Sequence, residues 1–323
     1  MQDGKMPKQS NKNPLVCAVV LNYNGCEHLQ YCVPSLSETS YPNLALIVVD
    51  NASTDDSVRW LKEEYPRVNI IQSDRNRGWS GGNNMGIAHC LRLGAEYILI
   101  ANNDIRVDPR WAQVAVSVAQ KDKRIGLIGF RVFGWGSRGD LESFKSASAA
   151  WNRVELRETT NIPGCALFVS KRVFEAIGLF DEGFFAYGEE NDFELRAQRA
   201  GFRMVATNIP VWHYSEGSFG KIPLRAARLA MRAEIRLTLK HGSVSDLVRK
   251  VGSMLNIACN PFIKIDTNHA PTRRKRPSHP LTNAILVSDA MLWNLLHLPQ
   301  TIIRRREDAI LADQAHPKLR GAM

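Results

Sequence analysis

Residues 44–56 read LALIVVDNASTDD, and this stretch decides the fold because an apolar run ends abruptly in a polar turn. The apolar run is rich in β-branched side chains, which is typical of a strand that is covered on both faces. Asp50 and Asn51 follow it directly, and Ser53 and Asp55 are residues that can cap the next helix. The stretch therefore predicts a buried strand, a polar turn at its carboxyl end and a helix.

The same order of segments extends on both sides of this stretch. Apolar runs at 15–23, 68–72 and 96–102 alternate with helical patterns at 27–37 and 82–94. Such alternation is typical of an α/β domain with a mainly parallel sheet and helices on both faces. The chain is long enough to form one large domain with a substantial hydrophobic core.

One irregular segment interrupts the predicted alternation of strands and helices. Residues 134–160 are rich in Gly, Ser and Ala and show no period, so we expect an active-site loop or an insert that contacts the acceptor. A strand at 165–170 and a helix at 171–177 follow. We therefore place an α/β domain at 15–220.

The basic charge of the chain is concentrated in its last third. From residue 221 onward there are 18 Lys and Arg against 7 Asp and Glu, whereas the first 220 residues hold 24 and 25. This asymmetry predicts a polyanion-facing or membrane-facing region attached to a near-neutral body. We expect a disordered tail at 1–14 and a helical, basic C-terminal region at 221–323 that associates with a membrane.

Two segments of the basic region have amphipathic patterns. Residues 223–242 predict a helix with Arg and Lys beside an apolar stripe, and either core packing or interfacial binding would explain it. Residues 281–299 contain a Trp and lie between the basic clusters 273–276 and 304–306, which suits a helix lying on an anionic bilayer. No nucleic-acid-binding motif accompanies the charge, so we expect no nucleic acid partner.

Cysteine usage and hydropathy indicate the compartment. The six cysteines are scattered, form no CxxC pair and mostly have apolar neighbours, as expected of buried, reduced thiols. The first residues lack the apolar core of a signal peptide, and no apolar run is long enough to span a bilayer. We expect a cytoplasmic protein, peripheral to the cytoplasmic face of the cell membrane.

Three predicted strands end in polar groups, at 21–25 (LNYNG), 49–55 (VDNASTD) and 102–105 (NNDI). Each alone could be an ordinary turn. Together they predict a ligand site, because ligands of α/β sheets bind outside the carboxyl ends of the strands. Asp104 could hold a divalent metal ion together with a diphosphate.

A glycine-rich segment, NRGWSGGNNMG at 76–86, lies between these clusters. Its glycines would let backbone N–H groups approach a ligand, and the start of the following helix favours anions. The segment matches neither the GxGxxG fingerprint nor a P-loop, so dinucleotide dehydrogenases and P-loop kinases lose their main support.

The chain resembles the family 2 glycosyltransferases of the GT-A fold in the order and spacing of six segments. These are VVLNYNG, VVDNASTD, NRGWSGGNNMGI, NND, PGCALFVSKRVFEAIGLFDEGFFAYGEENDFELRAQRAGF and VWHYSEGSFG. Within the family, the chain is most similar to the rhamnosyltransferase-like enzymes of bacterial surface polysaccharide synthesis. The resemblance implies a Rossmann-like GT-A domain that transfers a sugar, with inversion, from a nucleoside diphosphate sugar to a glycolipid or polysaccharide acceptor. It also implies Mg²⁺ or Mn²⁺.

The resemblance assigns roles by position. Nucleotide-sugar contacts fall on Asn22, Tyr23, Asn24, Asp50, Asn51, Gly81, Gly82, Asn84, Asn102 and Asn103. Asp104 is the one carboxylate retained in the DXD-type motif, and His213 matches a position that can complete the metal site. A histidine packed in a polar pocket is the alternative for His213.

The resemblance also places the catalytic base in the acidic stretch 189–194. The family takes its base from a Glu-Asp motif at a helix N-terminus, where the helix dipole stabilises an ionised carboxylate. Glu190 stands where Asp is usual and is the predicted base, with Asp192 as second candidate. For Asp192 and Glu194, capping and i,i+4 pairing, such as Asp192 with Arg196, are simpler explanations.

Two other functions remain open. A sugar-nucleotide nucleotidyltransferase shares the sheet type, but it would need a basic, glycine-rich loop after the first strand, and residues 21–30 contain no Lys or Arg. A catalytically weakened sugar-nucleotide-binding or scaffold protein would explain both the Glu at position 190 and the single carboxylate of the DXD-type motif.

Overall fold

The four apolar runs of the first hundred residues form parallel strands in the computed structural model, which describes residues 13–134, 139–214, 223–259 and 280–320. These strands are β1 (Val16–Asn22), β2 (Leu44–Asp50), β3 (Asn69–Gln72) and β4 (Tyr97–Asn102). In the sheet register, Asn22 lies opposite Asp50 and Leu21 lies opposite Asn102. The polar ends of β1, β2 and β4 therefore coincide at one edge, as predicted.

Further strands complete a mixed sheet of nine among the described residues. They are β5 (Ile105–Val107), β6 (Ile125–Phe133), β7 (Leu156–Glu158), β8 (Ala166–Ser170) and β9 (Arg203–His213). The order is β3-β2-β1-β4-β8-β6-β9-β5, with β7 paired to β9. Strand β8 runs antiparallel to β4 and β6, so the start of β8 lies beside the end of β4.

Helices cover the sheet on both faces, which confirms the predicted α/β class. They are α1 (Cys26–Ser37), α2 (Ser57–Glu64), α3 (Gly78–Arg92), α4 (Trp111–Lys121), α5 (Gly139–Ala150), α6 (Lys171–Ile177) and α7 (Glu189–Arg199). Successive residues of β1 enter two different apolar cores: Val16, Ala18 and Val20 belong to one, and Cys17 and Val19 to the other. All six cysteines are free, and four of them are buried.

Two predictions of local structure are wrong. The segment 134–160, expected to be a loop, contains α5 and β7 within its described part. The glycine-rich segment is not a ligand loop either, because α3 already begins at Gly78. A Cβ at Gly82 would lie 2.3 Å from Leu21 Cδ1, so this glycine lets α3 approach the sheet closely.

The C-terminal region is helical, as predicted. Its helices are α8 (Pro223–His241), α9 (Val244–Cys259), α10 (Pro280–Leu296) and α11 (Leu298–Arg320). Helices α8, α9 and α10 share a small apolar core that includes Met231, Ile235, Met254 and Val287. Within the described ranges, no helix combines the length and the apolar character that a bilayer crossing requires. The basic cluster 273–276 and most of the predicted tail 1–14 lie outside the described residues.

A buried cluster of ion pairs connects these helices with the α/β domain. We define it as Asp181, Asp192, Arg196, Arg236, Lys240, His241 and Asp308. The Nζ atom of Lys240 lies 2.6 Å from Asp192, 2.9 Å from Asp181 and 2.9 Å from Asp308. Burial by itself would lower the pKa of Lys240, but the three carboxylates outweigh it and raise that pKa.

Candidate active site

Asn22 ties together the three strand ends. Its Nδ2 donates to Asp50 Oδ1 at 3.3 Å and to Ser53 Oγ at 3.2 Å, and its Oδ1 accepts from Asn103 Nδ2 at 2.7 Å. Asn22 and Asp50 are both buried. This network fixes the loops that follow β1, β2 and β4 relative to one another, so the strand-end cluster is rigid before any ligand arrives.

The remaining residues of the first two loops are also held in place. Asn24 has a left-handed backbone (φ 49°) and accepts a hydrogen bond from Thr54 N at 2.7 Å. Tyr23 precedes it and is half-buried. Asn51 donates to Gly78 O at 3.0 Å and thereby anchors the start of α3. These residues lie together at the carboxyl edge of the sheet, where the sequence predicts the nucleoside.

Three residues that are predicted to contact the nucleotide-sugar donor make packing contacts within the protein. Gly81 and Gly82 are buried inside α3, and Gly82 packs against Leu21. Asn84 donates to Phe180 O at 3.0 Å and accepts from Phe180 N at 3.1 Å, so the segment before α7 occupies its side chain. This geometry does not support their predicted contact with the donor. Close packing and close ligand approach both require glycine, so the sequence pattern alone does not separate the two roles.

Asp104 and His213 meet at the end of β4. Asp104 follows Asn102 and Asn103 in the turn that joins β4 to β5, and its Oδ1 lies 3.1 Å from His213 Nε2. Burial alone would raise the pKa of Asp104, but His213 outweighs this effect and lowers it. Asn102 Oδ1 accepts from Trp79 Nε1 at 3.2 Å. The structure therefore brings both predicted metal ligands to one point.

The Asp104–His213 pair fits a divalent ion only in part. A carboxylate oxygen and an imidazole nitrogen are suitable ligands, and Asp104 Oδ1 is buried 3.1 Å from His213 Nε2. However, no group of three or more His, Cys, Asp or Glu side chains capable of holding an ion occurs in the described part of the chain. The pair thus suits an ion that takes its other ligands from a bound diphosphate and water.

An aromatic wall beside Asp104 was not predicted. Tyr31 of α1 and Trp212 of β9 pack edge to face, and the guanidinium of Arg106 lies 5.0 Å from the Tyr31 ring centroid. His28, one turn before Tyr31, contacts Tyr214. The position of His28 and Tyr31, in the helix directly after the first polar loop, is the only sequence signal for this wall.

Glu190 lies against the segment that leads into β8. Gly164 contacts it, since a Cβ at Gly164 would be 3.5 Å from Glu190 Cδ. The next residue, Cys165, accepts a hydrogen bond from Asn102 N at 3.0 Å. Burial, and then the charges of Asp104 and Glu190, raise the pKa of the Cys165 thiol to about 12. Residues 164 and 165 therefore connect the turn that carries Asp104 with Glu190, although the two carboxylates are 86 positions apart in the sequence.

The two adjacent glutamates have different environments. Glu189 is only 6% exposed, and its Oε2 has no hydrogen-bond partner among the described residues. Burial and the charge of Glu190 raise its pKa well above the ordinary value. Glu190 is half-buried. Burial thus disfavours a negative charge on Glu189, and the more exposed Glu190 is the better placed of the two carboxylates to take up a proton.

Asp192 belongs to the ionic cluster and cannot serve as the second candidate base. It is fully buried and contacts Arg196 Nε at 2.8 Å, Lys240 Nζ at 2.6 Å and His241 Nε2 at 2.8 Å. Burial would raise its pKa, but Arg196 and then His241 and Lys240 outweigh burial and lower it. Its complete burial and its three charged contacts leave Asp192 no access to an acceptor hydroxyl, whereas the predicted pairing with Arg196 is confirmed.

Glu194 supports the loop opposite Glu190. Its Oε1 accepts a hydrogen bond from Ile162 N at 2.7 Å, two residues before Gly164. Burial raises the pKa of Glu194 to about 8, and the charge of Glu190 adds to this effect. Glu194 therefore positions the 162–164 segment, which sequence reasoning on helix capping did not anticipate.

This combination of a mixed α/β sheet, a polar strand-end cluster and a facing carboxylate defines the class of nucleotide-sugar glycosyltransferases of the GT-A type. The family described as "Glycosyl transferase family 2" matches residues 17–178. The chain belongs to this family.

Relatives of known name are distant. A low-salt glycan biosynthesis hexosyltransferase of Haloferax volcanii is 26% identical over 193 residues, which are 56% of this chain and 61% of the relative. The N-acetylglucosaminyl-diphospho-decaprenol L-rhamnosyltransferase of Mycobacterium tuberculosis is 24% identical over 238 residues, or 64% of this chain and 78% of the relative. An uncharacterized Sinorhizobium fredii protein is matched over 30% of its length. The chain thus spans less than two thirds of some relatives.

Solved structures agree in fold. TarS of S. aureus, residues 1–349, superposes with a TM-score of 0.54 at 12% identity, covering 96% of this chain and 92% of that one. A mannosyltransferase from Pyrobaculum calidifontis, solved with GDP-Man and Mn²⁺, has a TM-score of 0.51 at 18% identity, with coverages of 94% and 87%.

Proposed function

We propose that this protein is an inverting hexosyltransferase that moves a sugar from a nucleoside diphosphate donor to a lipid-linked or polysaccharide acceptor. Rhamnose is the candidate sugar, and cell-surface glycan synthesis is the candidate process. One observation carries the proposal: the backbone of Asn102, two residues before Asp104, is hydrogen-bonded to Cys165 O, and the residue before Cys165, Gly164, contacts Glu190. A diphosphate held at Asp104 and an acceptor hydroxyl held at Glu190 would approach the anomeric carbon from opposite faces.

On the donor side, the strand-end cluster would bind the nucleoside. Asp50 can accept hydrogen bonds from a ribose or base, and Asn22 and Asn103 hold it in a fixed environment. Tyr23, Asn24, Asn51 and Asn102 complete this surface. Because the cluster is already hydrogen-bonded, little ordering would be needed when the donor binds.

Asp104 and His213 would hold Mg²⁺ or Mn²⁺ together with the donor diphosphate. The ion would neutralise the negative charge that develops on the leaving diphosphate. The buried Oδ1 of Asp104 and the adjacent imidazole support this assignment. The related mannosyltransferase structure contains both GDP-Man and Mn²⁺.

Glu190 would act as the general base that removes the proton of the acceptor hydroxyl. Burial and the charge of Glu190 raise the pKa of its neighbour Glu189, which disfavours a second negative charge at this point. Gly164, which has no side chain, lies against Glu190 and leaves room for the longer residue that replaces the usual Asp.

The acceptor and the cellular location follow from the relatives and the charge distribution. One relative is named as acting on N-acetylglucosaminyl-diphospho-decaprenol, which is a lipid-linked diphosphate. The excess of positive charge after residue 220 suits a cytoplasmic protein bound peripherally to an anionic membrane surface. We accordingly divide the chain into a transferase domain at 15–220 and a membrane-associating region at 221–323.

Thermal stabilisation by sugar nucleotides tests the donor assignment. We expect one of UDP-, dTDP- or GDP-sugars to raise the melting temperature, more so with Mn²⁺, since a ligand at a hundredfold excess over its Kd adds about 2.7 kcal/mol. No shift with any of them would refute the proposed function.

Replacing the base tests the chemistry. Glu190→Gln should lower turnover by about 10²–10⁴-fold while donor stabilisation is unchanged, because a general base contributes this much. Glu63→Gln, an exposed change in α2, is the matched control. Equal activity in Glu190→Gln would eliminate Glu190 as base. Donor binding by the wild type without any turnover would favour the sugar-nucleotide-binding alternative.

A further inference from the structure

A cavity of about 580 Å³ opens between the C-terminal helices and the segment that leads to Glu190. Helix α8 contributes Arg225, Arg228, Arg232 and Arg236 to one wall, and Trp293 and His297 contribute to another. Residues 182–186 form the side nearest α7. None of the residues assigned to the donor or the metal ion lines this cavity.

The charge of the cavity is positive at its α8 wall. Asp289 is the acidic partner of both Arg228 and Arg232, at 2.6 Å and 2.7 Å, so one carboxylate faces two guanidinium groups. Arg236 is paired with Asp181 in the ionic cluster. Glu182, the acidic residue among those that line the cavity, accepts a hydrogen bond from Asn84 Nδ2 at 3.0 Å.

Arg228 and Arg232 are prepared to bind an anion. Each donates to Asp289 through Nε and Nη2, which leaves the Nη1 groups of both without hydrogen bonds from described residues. The guanidinium of Arg232 also lies 5.4 Å from the Trp293 ring centroid, which restricts its plane. Oriented guanidinium groups are the preferred protein ligands for phosphate oxygens.

The cavity is joined structurally to the proposed base. Phe185 O accepts a hydrogen bond from Trp79 N at 2.7 Å, and Phe184 lies 5.2 Å from the Arg236 guanidinium. Four residues after Phe185, α7 begins with Glu189 and Glu190. A ligand in this cavity would therefore lie beside the segment that positions Glu190.

An exposed apolar stripe runs along α10 next to the cavity. Leu281, Ile285, Leu292 and Leu296 are 58–69% exposed and recur at helical spacing. Trp293, between two of them in sequence, faces the cavity. A basic cavity and an apolar stripe on one helix match a ligand that carries both a phosphate group and a hydrocarbon chain.

We propose that this cavity binds the diphosphate of a lipid-linked acceptor, with its hydrocarbon chain along the apolar stripe of α10. The inference rests on the proposed function and specifies where its acceptor is held. The sugar attached to the diphosphate would extend past residues 182–186 towards Glu190. Arg228 and Arg232 are the specificity-determining residues for the phosphate group.

Binding of farnesyl diphosphate, measured by calorimetry on the full chain, tests this inference. We expect the triple variant Arg228→Gln, Arg232→Gln, Asp289→Asn to bind about 100-fold more weakly, because two charge-assisted contacts are lost. The triple change removes the arginines without leaving Asp289 unpaired. The control, Arg59→Gln with Arg67→Gln, removes two exposed positive charges from the α/β body.

Two further probes distinguish the sources of the phosphate. Inorganic pyrophosphate should bind more weakly than farnesyl diphosphate, since it lacks the chain that contacts α10; equal affinity would overturn the lipid-linked assignment. Vesicles of phosphatidylcholine with phosphatidylglycerol should bind the triple variant as well as they bind the wild type, because Arg228 and Arg232 hold the diphosphate and not a lipid headgroup. If the triple variant loses vesicle binding together with farnesyl diphosphate binding, the cavity is a headgroup site and the inference is wrong.

Failure of this inference can be separated from failure of the proposed function. If no sugar nucleotide stabilises the protein, the donor assignment fails whatever farnesyl diphosphate does. If sugar nucleotides stabilise the wild type and the triple variant equally, both are folded. Unchanged farnesyl diphosphate affinity in the triple variant, or its absence in the wild type, then overturns the cavity assignment alone.

Discussion

At the scale of single residues, a carboxyl group can position a loop without being charged. Glu194 accepts hydrogen bonds from Ile162 N at 2.7 Å and from Asn161 Nδ2, and burial raises its pKa from 4.5 to about 8. The folded pKa lies above the unfolded one, so ionisation opposes folding. Stability should be greatest below pH 4.5, as far as this group is concerned, and decline as the pH rises towards 8.

Glu194→Gln should remove this pH dependence, because the amide keeps the acceptor oxygen and cannot ionise. Each pH unit between 4.5 and 8 costs the wild type at most about 1.4 kcal/mol from this group. Urea unfolding of both proteins at pH 5 and pH 8 measures the difference. Exposed Glu63→Gln serves as the control. Parallel losses of stability in wild type and Glu194→Gln would contradict the assignment.

The residue scale also shows what sequence could predict about the site. Asn22, Asp50 and Asp104 were predictable, because each directly follows an apolar strand and strand ends share one edge. The different environments of Glu190 and Asp192 could not be predicted from the sequence. The two residues lie on different sides of α7, and the partners that fix Asp192, Lys240 and His241, come from a helix about fifty residues away.

At the scale of elements, the glycines of α3 set the distance between helix and sheet. A Cβ at Gly82 would lie 2.3 Å from Leu21 Cδ1, whereas a Cβ at Gly252 in α9 meets nothing within 4 Å. Gly82→Ala should therefore destabilise the protein by about 1–3 kcal/mol through overpacking. Gly252→Ala should stabilise it by about 0.5–1 kcal/mol, since alanine favours a helix. Chemical denaturation measures both, and equal effects would refute the packing role.

The ionic cluster joins α7, α8 and α11 through one fully buried cation. Lys240→Met should cost about 3–5 kcal/mol, because the change leaves the carboxylates of Asp181, Asp192 and Asp308 without this partner. Lys250→Met, which breaks a more exposed pair with Glu234, should cost about 0–1 kcal/mol. Urea denaturation compares the two variants. Similar losses would mean that the C-terminal helices do not depend on this cluster.

The sequence predicts where α8 begins and ends, but not which partners its arginine side chains contact. Pro223 and the glycine that follows His241 mark its ends, and the arginine stripe is visible by its spacing. Whether that stripe faces solvent, a membrane or acidic residues depends on tertiary contacts. In the structure the stripe divides: Arg236 and Lys240 enter the ionic cluster, whereas Arg228 and Arg232 face the cavity.

At the scale of the whole molecule, charge and exposed apolar surface are concentrated on the same region. The residues after 220 carry 18 Lys and Arg against 7 Asp and Glu, and α10 and α11 expose several large apolar side chains. A bilayer with anionic lipids is complementary to both features. The overall division into body and basic region was predictable from composition, because charge asymmetry needs no contact information.

Vesicle co-sedimentation tests this complementarity with substitutions on α10. Leu292→Asp with Leu296→Asp should abolish binding to vesicles that contain phosphatidylglycerol, since each buried leucine contributes about 1.5–3 kcal/mol. Leu156→Asp, an exposed change on β7, should leave binding intact. Binding should also weaken as salt is raised from about 0.1 M to 1 M, because the Debye length falls from about 10 Å to 3 Å. Salt-independent binding that survives the α10 substitutions would show that neither surface contacts the membrane.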